Sequence, residues 1–229
     1  MHPYALSTES SAYRSARDRL LQAEMALRDQ REQVAQLRRS LPPGPLVQDY
    51  LFREGPADLS RNDPREFFDT RLSQLFSPGK GSLIVYHFMF GKAQYEPCPM
   101  CTMWIDGFNG VAPHIEQRAD FAIVAAADAG RLRKYGRSRG WRNLRLVSAG
   151  DSTFKRDLDS ETEDGAQLPY VSVFRRNDDG EIVHFYSANA MFGPHQMERG
   201  VDLLSPVWNM FDLTPEGRGE DWYPSVRYR

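Results

Sequence analysis

The sequence predicts an α/β protein with a mixed central sheet flanked by helices and a long N-terminal helical extension. Two apolar runs, SLIVYHFMF at 82–90 and DFAIVAAAD at 120–128, are typical of strands buried on both faces. Helix-forming segments separate the predicted strands, and strand–helix–strand units imply parallel pairing. A hairpin near the C-terminus, with its turn at 177–180, adds antiparallel strands.

Composition narrows the classes of function. The chain has 229 residues, enough for a sizeable core, and its 29 basic and 31 acidic residues leave a net charge of −2. That balance does not indicate a nucleic-acid-binding protein. No apolar run has the length of a membrane span or the character of a signal peptide, and two cysteines are too few for a disulfide framework. We therefore expect a cytoplasmic protein that binds neither nucleic acid nor membrane.

Residues 1–45 form the predicted helical extension. Residues 8–39 contain neither Gly nor Pro, and SLPPGP at 40–45 ends the helix. Apolar residues recur every seven positions and form a narrow seam. We expect the seam to pack on the body of the same chain or on a dimer mate, with a homodimer through this helix favoured. The seam consists of Tyr13, Leu20, Leu27, Val34 and Leu41.

Residues 46–212 form the predicted main domain, and residues 213–229 an irregular tail. Within the domain, Asp63 and Pro64 have the properties of an N-cap and a first helical residue, which predicts a helix over 63–76. A helix after the cysteines should be interrupted between Gly107 and Pro113. The remaining predictions are strands within 46–54, 144–150, 168–176 and 181–188, and helices over 129–141 and 195–211, the last broken at Pro206.

Both cysteines lie in EPCPMCTMW at 96–104. Thiol–disulfide exchange needs a thiolate that attacks a disulfide and a second thiol that resolves the mixed disulfide. Two intervening residues at a helix N-terminus let the sulfurs approach each other and favour the thiolate on the first. Cys98 is therefore the expected attacking residue and Cys101 the resolving residue, with Pro97 before them and Met100 between them.

The same spacing leaves other interpretations open. A zinc site would combine both cysteines with His114, although no second histidine follows at the short spacing that zinc fingers use.

His87, in the preceding strand, would either relay a proton to Cys101 or be a core histidine with one hydrogen bond. We expect no metal and no cofactor.

The segments LIVYHFMFG, CPMCTMWIDGFNG and DLTPEGRGEDW resemble the thioredoxin-like family catalogued as domain of unknown function 899, as does the long helix ending in RRSLP. The resemblance covers nearly the whole chain. It implies a thioredoxin-like fold with Cys98 and Cys101 at the redox position, but no established reaction. In thioredoxin-fold proteins a cis-proline faces the two cysteines, and QLPYVSVF is similar to that element, which implies a cis bond before Pro169.

We therefore expect a thiol–disulfide oxidoreductase that acts on a substrate protein or on a small-molecule thiol or peroxide. Pro97, Met100, Pro169 and Tyr170 should line the substrate side. One alternative is a peroxiredoxin-like peroxidase that forms a sulfenic acid on Cys98. The usual threonine three residues before a peroxidatic cysteine is absent here, because Tyr95 occupies that position. The other alternative is a non-enzymatic interaction protein on the same scaffold.

Overall fold

A computed structural model describes residues 7–191, 199–219 and 222–228. The chain divides into two compact units, Met1–Pro43 and Gly44–Arg229. Among the described residues, no helix combines the length and the apolar character needed to cross a membrane.

The first unit contains one helix, α1, over Ser11–Arg39. The Ser10 side chain caps it by accepting the Tyr13 N–H at 3.1 Å, and the helix ends at Ser40. No residue of α1 is buried, and Leu20 and Leu27 of the predicted seam expose 57% and 59% of their surface. The helix is therefore confirmed, and the packing of its seam stays a prediction.

The second unit is built on a seven-stranded mixed sheet with the strand order β2-β1-β5-β4-β3-β6-β7. Strand β3 is central and pairs in parallel with β4 and antiparallel with β6. Strand β5 continues the parallel part, and β7 forms the expected hairpin with β6. The strands are β1 (Leu51–Glu54), β2 (Phe68–Arg71), β3 (Ser82–Phe88), β4 (Asp120–Ala125), β5 (Arg145–Ser148), β6 (Tyr170–Arg176) and β7 (Ile182–Asn189).

Two apolar clusters form the core, one on each face of the sheet. Alternation along β3 places Tyr86 and Phe88 in the cluster with helix α2, and Leu83 and Val85 in the cluster with Phe154. The helices of this unit are α2 (Pro99–Ile115), α3 (Ala129–Arg139), a single turn α4 (Phe154–Asp157), and α5 (Pro206–Phe211). The fold thus brings the start of α2 to the end of the central strand.

The helix predicted over 63–76 was wrong. Asp63 caps only the short 3-10 turn Pro64–Glu66, after which the chain forms β2 and a second 3-10 turn, Leu72–Leu75. Strand β2 pairs along its length with β1, and these tertiary hydrogen bonds override the local helix signal.

The predicted break in α2 was also wrong, because the helix runs without interruption through Gly107 and Pro113. Burial of one face of the helix offsets the poor helix propensity of Gly107 and Pro113. That face includes Trp104, Ile105, Phe108 and Ala112. Of the last predicted helix, residues 195–198 lie outside the described residues. A 3-10 turn follows, and α5 begins at Pro206, its first helical residue.

The exposed seam of α1 leads to a prediction about oligomeric state. Replacing Leu20 and Leu27 by Asp should lower the thermal midpoint or convert a dimer into a monomer in light scattering, because the charges oppose burial of the seam. Met25→Asp is the matched control, since Met25 lies on the same helix outside the seam and is 40% exposed. No change in either quantity in the double variant would contradict the packing of the seam.

Candidate functional site

Cys98 is the N-cap of α2. Its main-chain N–H donates to Met89 O at 3.1 Å, which ties it to the chain leaving β3. Its Sγ accepts the N–H of Cys101 at 3.4 Å, and its carbonyl accepts the N–H of Thr102. Pro99 fills the first helical position, where no N–H is needed. The sulfur of Cys98 therefore lies at the positive end of the helix dipole.

The two thiols have opposite proton affinities. A hydrogen bond from the Cys101 thiol, together with the N–H groups of Cys101 and Met100 and the hydroxyl of Tyr223, lowers the pKa of Cys98 to about 6 against the effect of burial. Donation to Cys98 and burial hold the pKa of Cys101 well above its usual range. Both cysteines are free, so near neutral pH Cys98 is a thiolate and Cys101 its proton-bearing partner.

Tyr223 reaches the site from the C-terminal tail. Its hydroxyl lies 3.7 Å from Cys98 Sγ. Burial, followed by the charge on Cys98, raises the pKa of Tyr223 to about 12, so the hydroxyl keeps its proton and donates to the thiolate. Two contacts on either side of Tyr223 hold the tail: Trp222 packs edge-on against Phe211 at 4.9 Å, and Arg139 donates to Val226 O at 2.9 Å.

Lys155, in the one-turn helix α4, is fully buried behind the cysteines. Its Nζ donates to Phe88 O at 3.5 Å, at the end of the strand that leads to the site. Burial lowers the pKa of Lys155 to about 8, while the nearby side chains of Glu161 and Cys101 act in the opposite direction. The amine is therefore within electrostatic range of Cys101, and ionisation of the Cys101 thiol would favour the protonated amine.

His87 lies on the other face of the sheet, where its ring stacks on Phe154 at 5.5 Å. Its two ring nitrogens are hydrogen-bonded to Ser160 Oγ at 2.7 Å and Ser172 Oγ at 2.9 Å. Burial lowers the pKa of His87 well below its usual range, so the ring is neutral. Of the two interpretations of His87, the structure supports the core histidine, with two hydrogen bonds instead of the one expected, because both ring nitrogens are bonded to serines.

A cavity of about 270 Å³ opens beside the two sulfurs. Of the residues expected on the substrate side, Met100, Pro169 and Tyr170 line it, whereas Pro97 is buried outside its walls. Among the described residues, the lining consists of Tyr86, Met89, Cys98, Met100, Cys101, Trp104, Gln167, Leu168, Pro169, Tyr170, Ala190, Met191, Val201, Trp208 and Tyr223.

The cis bond expected before Pro169 is absent, since the Leu168–Pro169 peptide is trans. Hydrogen bonds on both sides hold the extended chain: Leu168 N–H donates to Ser160 O at 3.0 Å, and Ala190 N–H donates to Pro169 O at 3.0 Å. Pro169 nevertheless reaches the wall of the cavity.

His114 cannot complete a zinc site with the cysteines. It lies at the far end of the 17-residue α2, exposed, and a rise of 1.5 Å per residue puts it roughly 20 Å from Cys101. In the described part of the chain, no group of three or more His, Cys, Asp or Glu side chains is arranged to hold a metal ion.

Sequence reasoning missed Tyr223, Lys155 and Tyr86. Aromatic residues concentrated in an otherwise irregular tail, at 222, 223 and 228, were a usable signal, because such side chains tend to be packed. Lys155 carried no signal, since it stands in a polar segment too short for periodicity. Tyr86 was recognised as a strand residue, but the neighbour of its hydroxyl, Cys101, depends on the packing of α2.

The arrangement predicts the pH dependence of the reaction at Cys98. The alkylation rate of the reduced protein by iodoacetamide should rise with pH through a midpoint near 6, where the Cys98 thiolate forms. Tyr223→Phe removes a donor to the thiolate, so the midpoint should move upward by about half a pH unit, or ~0.7 kcal/mol. Tyr95→Phe is the control, because Tyr95 is 90% exposed. If Tyr223→Phe has the same alkylation midpoint as the wild type, the Tyr223 hydroxyl does not stabilise the Cys98 thiolate.

Comparison with known proteins identifies the fold and the family. None of the curated proteins matches the sequence. The Plasmodium falciparum antioxidant protein (1-Cys peroxiredoxin) superposes with a TM-score of 0.52 at 13% identity, covering 74% of this chain and 99% of that chain. An X-ray structure of a peroxiredoxin gives 0.51 at 13% identity, covering 72% and 98%. These likenesses confirm the thioredoxin-like fold. A family model matches residues 4–229, and the chain belongs to that family, described as bacterial protein of unknown function (DUF899).

Proposed function

We propose that this protein is a thiol–disulfide oxidoreductase in which Cys98 attacks and Cys101 resolves. The observation that carries the proposal is the Cys98 thiolate at the N-terminus of α2, which accepts hydrogen bonds from Cys101 and Tyr223. A thiolate with a pKa near 6 is mostly ionised at neutral pH, and an adjacent buried thiol is suited to resolution. We propose the cytoplasm as its location, where reducing thiols would regenerate the Cys98–Cys101 dithiol after each turnover.

The reaction balances with two protein thiols and one substrate disulfide. The Cys98 thiolate attacks one sulfur of the substrate, forming a mixed disulfide and releasing the other half as a thiolate. Cys101 then attacks Cys98 Sγ, the second substrate half leaves as a thiolate, and the proton of Cys101 passes to a departing thiolate. The products are two reduced substrate halves and the Cys98–Cys101 disulfide, which an external dithiol reduces in the next turnover.

Lys155 supports the second step electrostatically. The first step consumes the charge on Cys98, and the second requires negative charge to develop on Cys101, whose environment disfavours it. With a pKa of about 8, Lys155 is mostly protonated at neutral pH. Its ammonium group, which donates to Phe88 O at 3.5 Å, stabilises that charge across the buried interior, where electrostatic interactions are stronger than in water.

A peroxidase role remains the alternative within the same chemistry. Its sequence argument is weak, because Tyr95 replaces the usual threonine and is 90% exposed. The buried Cys101 next to Cys98 favours rapid formation of an intramolecular disulfide over a long-lived sulfenic acid. We therefore place disulfide exchange first.

The proposal predicts an intramolecular disulfide. The wild-type protein is equilibrated in reduced and oxidised dithiothreitol mixed at a series of ratios, and its free thiols are then labelled. The number of free thiols per chain should fall from two to zero in one transition as the buffer becomes more oxidising. With a linear, uncharged disulfide such as 2-hydroxyethyl disulfide, Cys101→Ser should instead stop at a mixed disulfide on Cys98, because neither the protein nor the reagent supplies a resolving thiol.

Two results would count against this function. Failure to form a Cys98–Cys101 bond at any poise would exclude the redox role. Stopped-flow oxidation by hydrogen peroxide that is much faster than that of a free thiol would assign the site to a peroxidase instead.

Lys155→Met tests the electrostatic role, since Met has a similar length and no charge. In single-turnover exchange with an aryl disulfide, release of the second thiol should slow about tenfold, while release of the first changes little. Lys134→Met, at an exposed position of α3, is the matched control. Equal slowing of both steps would point to a purely structural role for Lys155, and thermal melts would verify folding of the variant.

A further inference from the structure

We propose that the cavity beside Cys98 binds an uncharged, apolar substituent of the substrate sulfur. The substrate class would then be neutral aryl or branched-alkyl thiols and disulfides, in preference to charged thiols such as glutathione. The proposal rests on the disulfide-exchange function above and specifies which compounds that function serves.

The walls of the cavity carry the argument. Two tryptophans, Trp104 and Trp208, meet edge-to-face at 5.3 Å and are both almost fully buried. Met100, Leu168 and Val201 complete an apolar surface around them. Among the described residues that line the cavity, none is Asp, Glu, Lys or Arg. An anionic substituent would lose its hydration there without gaining a counter-charge and would lie beside the Cys98 thiolate, whereas an apolar one gains by leaving water.

The polar groups of the cavity fit a neutral ligand. Gln167 Nε2 donates to Gly165 O at 3.0 Å, which orients the amide and leaves its Oε1 without a partner. The other polar side chains in the lining are the tyrosines Tyr86, Tyr170 and Tyr223. The polar groups of the wall are therefore uncharged amide and phenol groups, which suit an uncharged ligand.

Size and position restrict the ligand further. A cavity of about 270 Å³ has room for a single substituted aromatic ring. Both Cys98 and Cys101 lie in the wall, so a group bound in the cavity holds its sulfur beside the attacking thiolate. Tyr223 lines the same cavity while contacting Cys98, and thus encloses the ligand at the reacting sulfur.

The test compares two disulfides of equal shape, bis(4-carbamoylphenyl) disulfide and bis(4-carboxyphenyl) disulfide, at pH 7. Single-turnover release of arylthiolate is followed by absorbance and divided by the rate with N-acetylcysteine amide, which corrects for intrinsic reactivity. The neutral amide should react at least tenfold faster on this normalised scale. Ala190→Phe, which fills the cavity, should remove the preference, and Val111→Phe, exposed on α2, should retain it.

Equal normalised rates, with the Cys98–Cys101 disulfide formed in both reactions, would overturn this inference and leave the oxidoreductase function intact. Absence of that disulfide with both compounds would overturn the function itself. If Ala190→Phe does not fold, the non-reactive thioether bis(4-carbamoylphenyl) sulfide provides a second measurement with Cys98→Ser. Saturable quenching of tryptophan fluorescence, absent with the dicarboxylate, supports the site, and equal quenching or none overturns it.

Discussion

The hydrogen bonds that seat Cys98 between β3 and α2 are the constraint on which the rest of the site depends. Met89 O fixes the main chain of Cys98, and the N–H of Cys101 fixes its sulfur. Strand β3 is an interior strand, flanked by β4 and β6, and most of its residues are buried, so Cys98 is anchored to the core of the fold. The ionised sulfur, the protonated partner and the cavity beside them all follow from this one junction.

A chain of polar side chains on the opposite face of the sheet supports the segment that carries Lys155. Ser187, Ser172, His87 and Ser160 are linked by successive hydrogen bonds of 2.7 to 2.9 Å. Ser160 then donates to the main-chain carbonyl of Lys155 at 2.9 Å. His87 thus acts as a neutral structural link, and its burial is satisfied on both nitrogens. The buried amine is held in place from behind the sheet.

The local sequence pattern was sufficient to predict strands β3 and β4 and the start of helix α2. The apolar runs predicted β3 and β4, and the spacing of Cys98 and Cys101 after a strand predicted a helix N-terminus at the right place. Long-range contacts were beyond such reasoning: Tyr223 meets Cys98 across 125 positions of sequence. The segment 63–76 shows the same limit. Part of it forms β2 instead of a helix because it pairs with β1, and this long-range pairing is not encoded in local propensity.

The contact between Tyr223 and Cys98 couples ionisation of the Cys98 thiol to docking of the C-terminal tail. If docking of the tail favours the ionised sulfur, thermodynamic reciprocity requires that the ionised sulfur favours docking of the tail by the same free energy. A disulfide between Cys98 and Cys101 carries no such charge, and Tyr223 then loses its strongest acceptor. In the proposed redox cycle, residues 222–228 would therefore be held less tightly in the oxidised protein than in the reduced one.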